Sequence, residues 1–122
     1  MRALSVQGLE VYQEAFRLQQ VVFRSTQAWP GEERYSLTDQ IRRSSRSIGA
    51  NLSEAWAKRT YPAHFRSKLT DADGELAETR HWLATATACG YLSAEEAAVL
   101  SALADHVGRL LGVMLRKHGE FG

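Results

Sequence analysis

An all-α fold, an antiparallel up-down-up-down four-helix bundle, is what this 122-residue sequence predicts, and three observations carry the prediction. Apolar residues recur at alternating steps of three and four in four separate stretches, the period of a helix with one buried face. The interruptions between those stretches are short and carry turn or cap signals: Pro30 with Gly31, Thr60 to Pro62, and Gly90 with Ser93. No alternating β-branched run competes for a strand. Long helices joined by short connections must run antiparallel to their chain neighbours, which leaves the up-down bundle.

The helices are expected near 8–29, 36–58, 62–89 and 93–117. In the first, Leu9, Tyr12, Phe16, Gln19 and Phe23 step three and four, with Val11, Ala15 and Val22 beside them. It should end near Trp29, because Pro30 disfavours helical geometry at the residue before it. Ser36 is a candidate N-cap for the second helix, and Asp39 sits three residues on, where an acid complements the positive end of the dipole. At 100° per residue, Leu37, Ile41, Ser44, Ser45, Ile48, Leu52, Ala55 and Trp56 share a sector roughly 120° wide, the expected core face. Arg42, Arg46, Gly49 and Ser53 fall on the opposite side, with Arg43 and Glu54 on one flank and Asn51 at the rim. A glycine inside a helix costs about 1 kcal/mol relative to alanine. Gly49 therefore suggests a neighbour packed closely against the outer face, and Asn51 should find a hydrogen-bond partner on an adjoining helix.

Thr60 is a candidate cap for the third helix, and Pro62 fits its first turn, where the missing amide hydrogen is not needed. Phe65, Leu69, Ala72, Leu76, Thr79, Leu83 and Ala86 then repeat as a heptad seam, and Gly90 ends the segment. Ser93 and Glu96 form a capping box, and Leu100, Leu103, Val107, Leu110 and Met114 give the fourth seam. The expected core comprises Phe16, Ile48, Leu52, Leu69, Leu76, Leu83, Leu103, Val107 and Leu110.

Residues 1–122 make one domain, and a 44% hydrophobic, 24% charged composition is that of a globular chain. The single Cys89 excludes an internal disulfide, fits a reducing compartment, and beside a helix-ending glycine reads as a small packed hydrophobe. The N-terminus lacks the apolar run of a signal peptide and no stretch reads as a membrane span, so a cytoplasmic protein is expected. Net charge is only +1, but it is unevenly placed. Between Arg34 and Lys68 eight basic residues face Asp39 and Glu54; between Asp71 and Glu96 six acids face Arg80 alone. Such halves could pair within one molecule, pair between subunits, or offer the basic part to an anionic partner.

Reaction chemistry is not legible. Glu78 and His81 have the Glu-x-x-His spacing of a bundle di-metal site, but no second such motif exists: Ala57 follows Glu54 at that step and Gly108 follows Asp105. His64, His81, His106 and His118 have no ligand spacing among them and read as exposed or hydrogen-bonded histidines. No catalytic residue, metal ligand or cofactor site is assigned, and the protein is read as non-enzymatic. Trp29, Trp56 and Trp82 read as core-edge residues or interface anchors. Asp71, Glu75, Glu78 and Trp82 form a stripe beside the third helix's seam, either solvated or answering the arginines of the second helix across a subunit boundary.

Three stretches carry a family likeness: "GLEVYQEAF" from Gly8, "LTDQIRRSSRSIGANLSEAWAKRTYPAHFRSKLTDADGE" from Leu37, and "AETRHWLATATACGYLS" from Ala77. Together they resemble the four-helix bundle family named after proteins encoded in intervening sequences of bacterial large-subunit ribosomal RNA genes. The resemblance implies a bundle that assembles into a ring, typically a homo-pentamer, without established enzymatic activity. The chain is also similar to the accessory variability determinant of diversity-generating retroelements, a pentameric bundle whose basic surface binds nucleic acid and a reverse transcriptase. Carried over, that similarity puts RNA or DNA binding on Arg42, Arg43, Arg46, Lys58 and Arg59. It departs from that relative in its near-neutral charge and its acidic stripe. Gly49, Asp71, Glu75, Glu78 and Trp82 are the expected subunit-interface residues. Two roles stay open for the arginines: a phosphate-binding surface, or subunit contacts in a scaffold whose partner is another protein.

Overall fold

The computed structural model describes residues 4–117. Among them the elements are a 3-10 turn at Val6–Gly8, α1 (Glu10–Thr26), a second 3-10 turn at Gly31–Glu33, α2 (Leu37–Ala57), α3 (Pro62–Ala88) and α4 (Ala94–Arg116), with no strand. Each helix packs on two neighbours in the cyclic order α1, α2, α3, α4, and the α2–α3 contact is the most extensive. The four-helix bundle expected from the periodicity is what forms.

The α3 seam is buried at all seven expected positions, from Phe65 to Ala86. Helix α2 buries the expected sector and two residues more, Thr38 and Gly49, while Trp56 is half-buried. In α1 the seam is rotated from the expected one. Val11, Ala15, Leu18, Val22 and Thr26 are buried, whereas Phe16 is 48% exposed. The reason is steric: the sequence offers two adjoining apolar stripes, and the slimmer one lets α1 approach its neighbours closely. The aromatic stripe is left on the flank, where Tyr12 and Phe16 stack on each other at 6.4 Å between centroids. A similar rotation occurs in α4, whose buried line is Leu100, Ala104, Val107, Leu111 and Met114. Leu103 and Leu110 are only half-buried, so of the nine expected core residues, Phe16, Leu103 and Leu110 are corrected. By length and composition α4 could cross a membrane, contrary to the reading of the sequence; here its line from Leu100 to Met114 is turned into the bundle.

Caps explain the helix ends. Ser93 and Glu96 form the reciprocal capping box, with both bonds at 3.0 Å. Gly90, at φ 79°, ends α3: Tyr91 N–H reaches the Ala86 carbonyl at 2.9 Å and Gly90 N–H the Thr87 carbonyl at 3.1 Å, the Schellman arrangement that a left-handed residue permits. The other two caps differ from expectation. Ser36 makes no side-chain cap; the Leu37 amide is taken instead by Glu33 Oε1 at 3.3 Å. Tyr61 rather than Thr60 precedes α3, again without a side-chain cap, and Pro62 takes the first helical position.

Candidate nucleic-acid interface

The phase of α2 decides where its cations go. Arg42 sits at the edge of the buried sector facing α1, and there its Nε donates to Thr26 Oγ1 at 2.8 Å. The Thr26 hydroxyl in turn donates to the Phe23 carbonyl at 2.9 Å. The Arg42 guanidinium lies 4.8 Å from the Phe23 ring centroid and that of Arg46, one turn on, lies 5.6 Å from it. Both cations therefore stand on an aromatic face rather than against carboxylates, an arrangement that fixes the guanidinium without neutralising it.

Arg43 points to the other flank, toward α3. With Gln40, Ser44, Ser47, Glu75 and Glu78 it lines a small polar cleft of about 120 Å³. Burial, and then the neighbouring Glu78 charge, push the Glu75 carboxyl above its usual range, and the Arg43 charge pulls in the opposite direction. At the far end of α2, Lys58 is exposed. Arg59 folds back to donate from Nη1 to the Trp56 carbonyl at 2.9 Å, with its guanidinium 4.3 Å from the Trp56 ring. The five basic residues thus divide into an α1-side pair, a single α3-side arginine and a pair past the helix end. None of the five forms an ion pair among the described residues.

The acids are largely engaged by other groups. Lys68 Nζ reaches Glu54 at 2.6 Å and Asp71 at 3.7 Å, and Glu54 foremost holds the ammonium pKa above its usual value. Glu78 accepts from Trp82 Nε1 at 3.4 Å. The stripe of Asp71, Glu75, Glu78 and Trp82 therefore runs beside α2 of its own chain, and Arg43 is the only one of the three central arginines on that side. Gly49 is a clearer correction. It is buried, and a Cβ there would lie 3.7 Å from both Tyr12 and Gln19, so the close neighbour it admits is α1 of the same protomer rather than a subunit on the outer face. Asn51 likewise donates to the Ser47 carbonyl of its own helix at 2.9 Å, not to another helix.

Other polar groups take structural partners. His106 stands between Glu10 (Nε2 to Oε1, 3.4 Å) and Glu14 (Nδ1 to Oε2, 3.5 Å), joining α4 to α1. His81 packs edge-on against Trp82 at 4.9 Å and His64 against Tyr61 at 6.1 Å; His118 lies outside the described residues. Among those residues no three His, Cys, Asp or Glu side chains converge as a metal cluster would. Cys89 is exposed rather than packed.

Sequence reading missed the Thr26 anchor and the Phe23 platform, because Phe23 was assigned to a buried seam. It also passed over the α1–α2 connection, where Trp29 is buried against Tyr91 at 5.8 Å. There Tyr91 donates its hydroxyl to Glu33 Oε2 at 2.9 Å, a contact that holds the phenol's pKa up at about 12.

A family profile described as 23S rRNA-intervening sequence protein matches residues 7–113. Among solved structures, the chain is similar to a protein of unknown function from the S23 ribosomal protein family of Bacteroides thetaiotaomicron. The two are 25% identical, with a TM-score of 0.77 over 87% of this chain and 95% of that one. No curated protein is significantly similar.

Proposed function

The chain belongs to the 23S rRNA-intervening sequence protein family, and on that footing we propose that it is a non-enzymatic, oligomeric, cytoplasmic bundle that binds RNA or DNA through phosphates. The observation that carries this reading is that Arg42, Arg43, Arg46, Lys58 and Arg59 form no ion pair among the described residues. Phosphate is the anion that a planar guanidinium, held on an aromatic ring with its outer donors unused, is suited to meet. Repetition of these residues around a homo-pentameric ring makes individually weak contacts multivalent. Contacts of this kind read the backbone and carry no base preference.

A ring also needs two different complementary surfaces on each subunit. Phe16, exposed and stacked on Tyr12, gives α1 an apolar face suited to one such surface. The same exposed aromatics favour a second reading, a scaffold that meets a protein partner through α1. Light scattering combined with fluorescence anisotropy on mixed-sequence RNA and DNA separates the two. An oligomer that binds nucleic acid, and an intact Arg42→Ala/Arg43→Ala/Arg46→Ala oligomer that binds more weakly on every sequence, support the phosphate reading. A monomeric mass, or an intact mutant that binds as wild type does, rejects it.

A further inference from the structure

We propose that the corner where α1 passes into α2 is a discrete site for a single phosphate group, built by Arg34 and Arg42 with Thr26, Thr38 and Trp29. It deepens the phosphate-binding reading above and shares Arg42 with it, but Arg34, Thr38 and Trp29 are new to it. A pocket of about 280 Å³ opens at this corner, walled by Thr26, Gln27, Trp29, Arg34, Thr38 and Arg42 around the Pro30–Gly31 backbone. Its lining residues carry two guanidinium groups, two hydroxyls, an amide and an indole, and no carboxylate. Glu33, the nearest acid in sequence to carry a fixed role, spends its carboxylate on the Tyr91 hydroxyl at 2.9 Å and the Leu37 amide at 3.3 Å.

Several parts of the pocket are already held in place. Arg42 is fixed through Nε on Thr26 and through the Phe23 ring, so its Nη donors need no ordering when an anion arrives. Arg34 lies over the Tyr35 ring at 5.6 Å and forms no ion pair among the described residues. Thr26 and Thr38 are 3% and 6% exposed at the pocket wall; the Thr26 hydroxyl already donates to Phe23, so its part is to hold Arg42 in place. Thr38 brings the first turn of α2 to the pocket wall. Trp29 is 8% exposed, and its indole N–H is the only buried side-chain donor without a partner among the described residues. Ligand pockets of drug size run from about 300 Å³ upward, so this one suits a phosphate and its ester sugar rather than a whole nucleobase beside them.

The probes are inorganic phosphate, adenosine monophosphate and, as the uncharged control, adenosine, titrated calorimetrically into the full chain. Both phosphates should bind saturably and adenosine should not. Arg34→Gln should weaken phosphate binding about tenfold or more, the worth of a charge-assisted hydrogen bond, and Thr38→Val should weaken it less. Arg109→Gln, exposed on α4 and outside the pocket, should leave it unchanged. A 5′-phosphorylated oligonucleotide that outcompetes its 5′-hydroxyl twin only when Arg34 is present assigns the phosphate to a nucleic-acid end. Equal competition by the two, with adenosine monophosphate still binding, assigns it to a free phosphate ester. Absence of saturable phosphate binding, or Arg34→Gln binding as tightly as wild type, overturns the site. The two ideas fail separately: nucleic acid bound without a phosphate pocket sinks only this inference, and phosphate bound without nucleic-acid affinity sinks only the wider function.

Discussion

Replacing Gly49 by alanine should make the protein more stable. The residue is buried in α2 under α1, and an added Cβ meets its nearest atoms, Gln19 Oε1 and Tyr12 Cε1, at 3.7 Å, ordinary contact distance. No residue of the described chain other than glycine has a positive φ, and Gly49 itself is helical, so alanine fits without backbone strain. The helix then gains the propensity difference of about 1 kcal/mol in α2. The new methyl also buries a little apolar surface against Tyr12. For a chain of this length the unfolding entropy is ~0.26 kcal/mol/K, so ~1 kcal/mol corresponds to a rise in Tm of ~4 °C. Urea denaturation at fixed protein concentration gives the free energy, since an oligomer's stability depends on concentration. Light scattering on the same samples gives the mass. A loss of stability, or an oligomer that dissociates, would refute the placement of Gly49 under α1 and return it to a subunit contact.

Two further outcomes follow from polar groups of the bundle, one between helices and one in the α3–α4 connection. Thr79 and Ser44 share a buried hydroxyl contact of 2.9 Å across the α2–α3 interface, and each has a second partner, the Glu75 carbonyl at 2.9 Å and the Ile41 carbonyl at 3.3 Å. Thr79→Val should therefore cost only ~1 kcal/mol in urea, because Ser44 can still donate to Ile41; a loss of several kcal/mol would mean the hydroxyl was left orphaned. Tyr91 is a neutral acid whose folded pKa, about 12, lies above its ordinary value of 10.0, first because of its hydrogen bond to Glu33. Its contribution to stability is fully present below pH 10, and it is lost as pH rises toward 12. Wild type should lose more stability than Tyr91→Phe over that window, and parallel pH profiles would contradict it.

The heptad of α3 was legible because only one apolar stripe runs along it, so pattern and burial had a single solution. In α1 and α4 the sequence carries two adjoining stripes, and periodicity alone cannot say which faces inward. Close approach of backbones decides, and it favours Val11, Ala15 and Val22 over Phe16, and Ala104 over Leu103. The same rotation brings Phe23 beside the arginines, so the most specific feature of the candidate interface depended on a packing choice that no spacing encodes. Gly49 shows the complementary error. The glycine did mark a close neighbour, as its helix cost implies, but the neighbour is α1. Ser93 and Glu96, whose partners lie within one turn, were readable outright.

The central claim is that the α2 arginines meet phosphates, and the slope of log affinity against log salt tests it most directly. Each phosphate neutralised contributes roughly −0.7 on single strands and −0.9 on duplex DNA. Measured on mixed-sequence RNA and DNA, wild type should give a slope of several units. The Arg42→Ala/Arg43→Ala/Arg46→Ala variant, with its assembled mass unchanged, should give a slope of smaller magnitude and lower affinity on all sequences alike. A wild-type affinity that ignores salt, or an intact variant with the wild-type slope, would contradict the account.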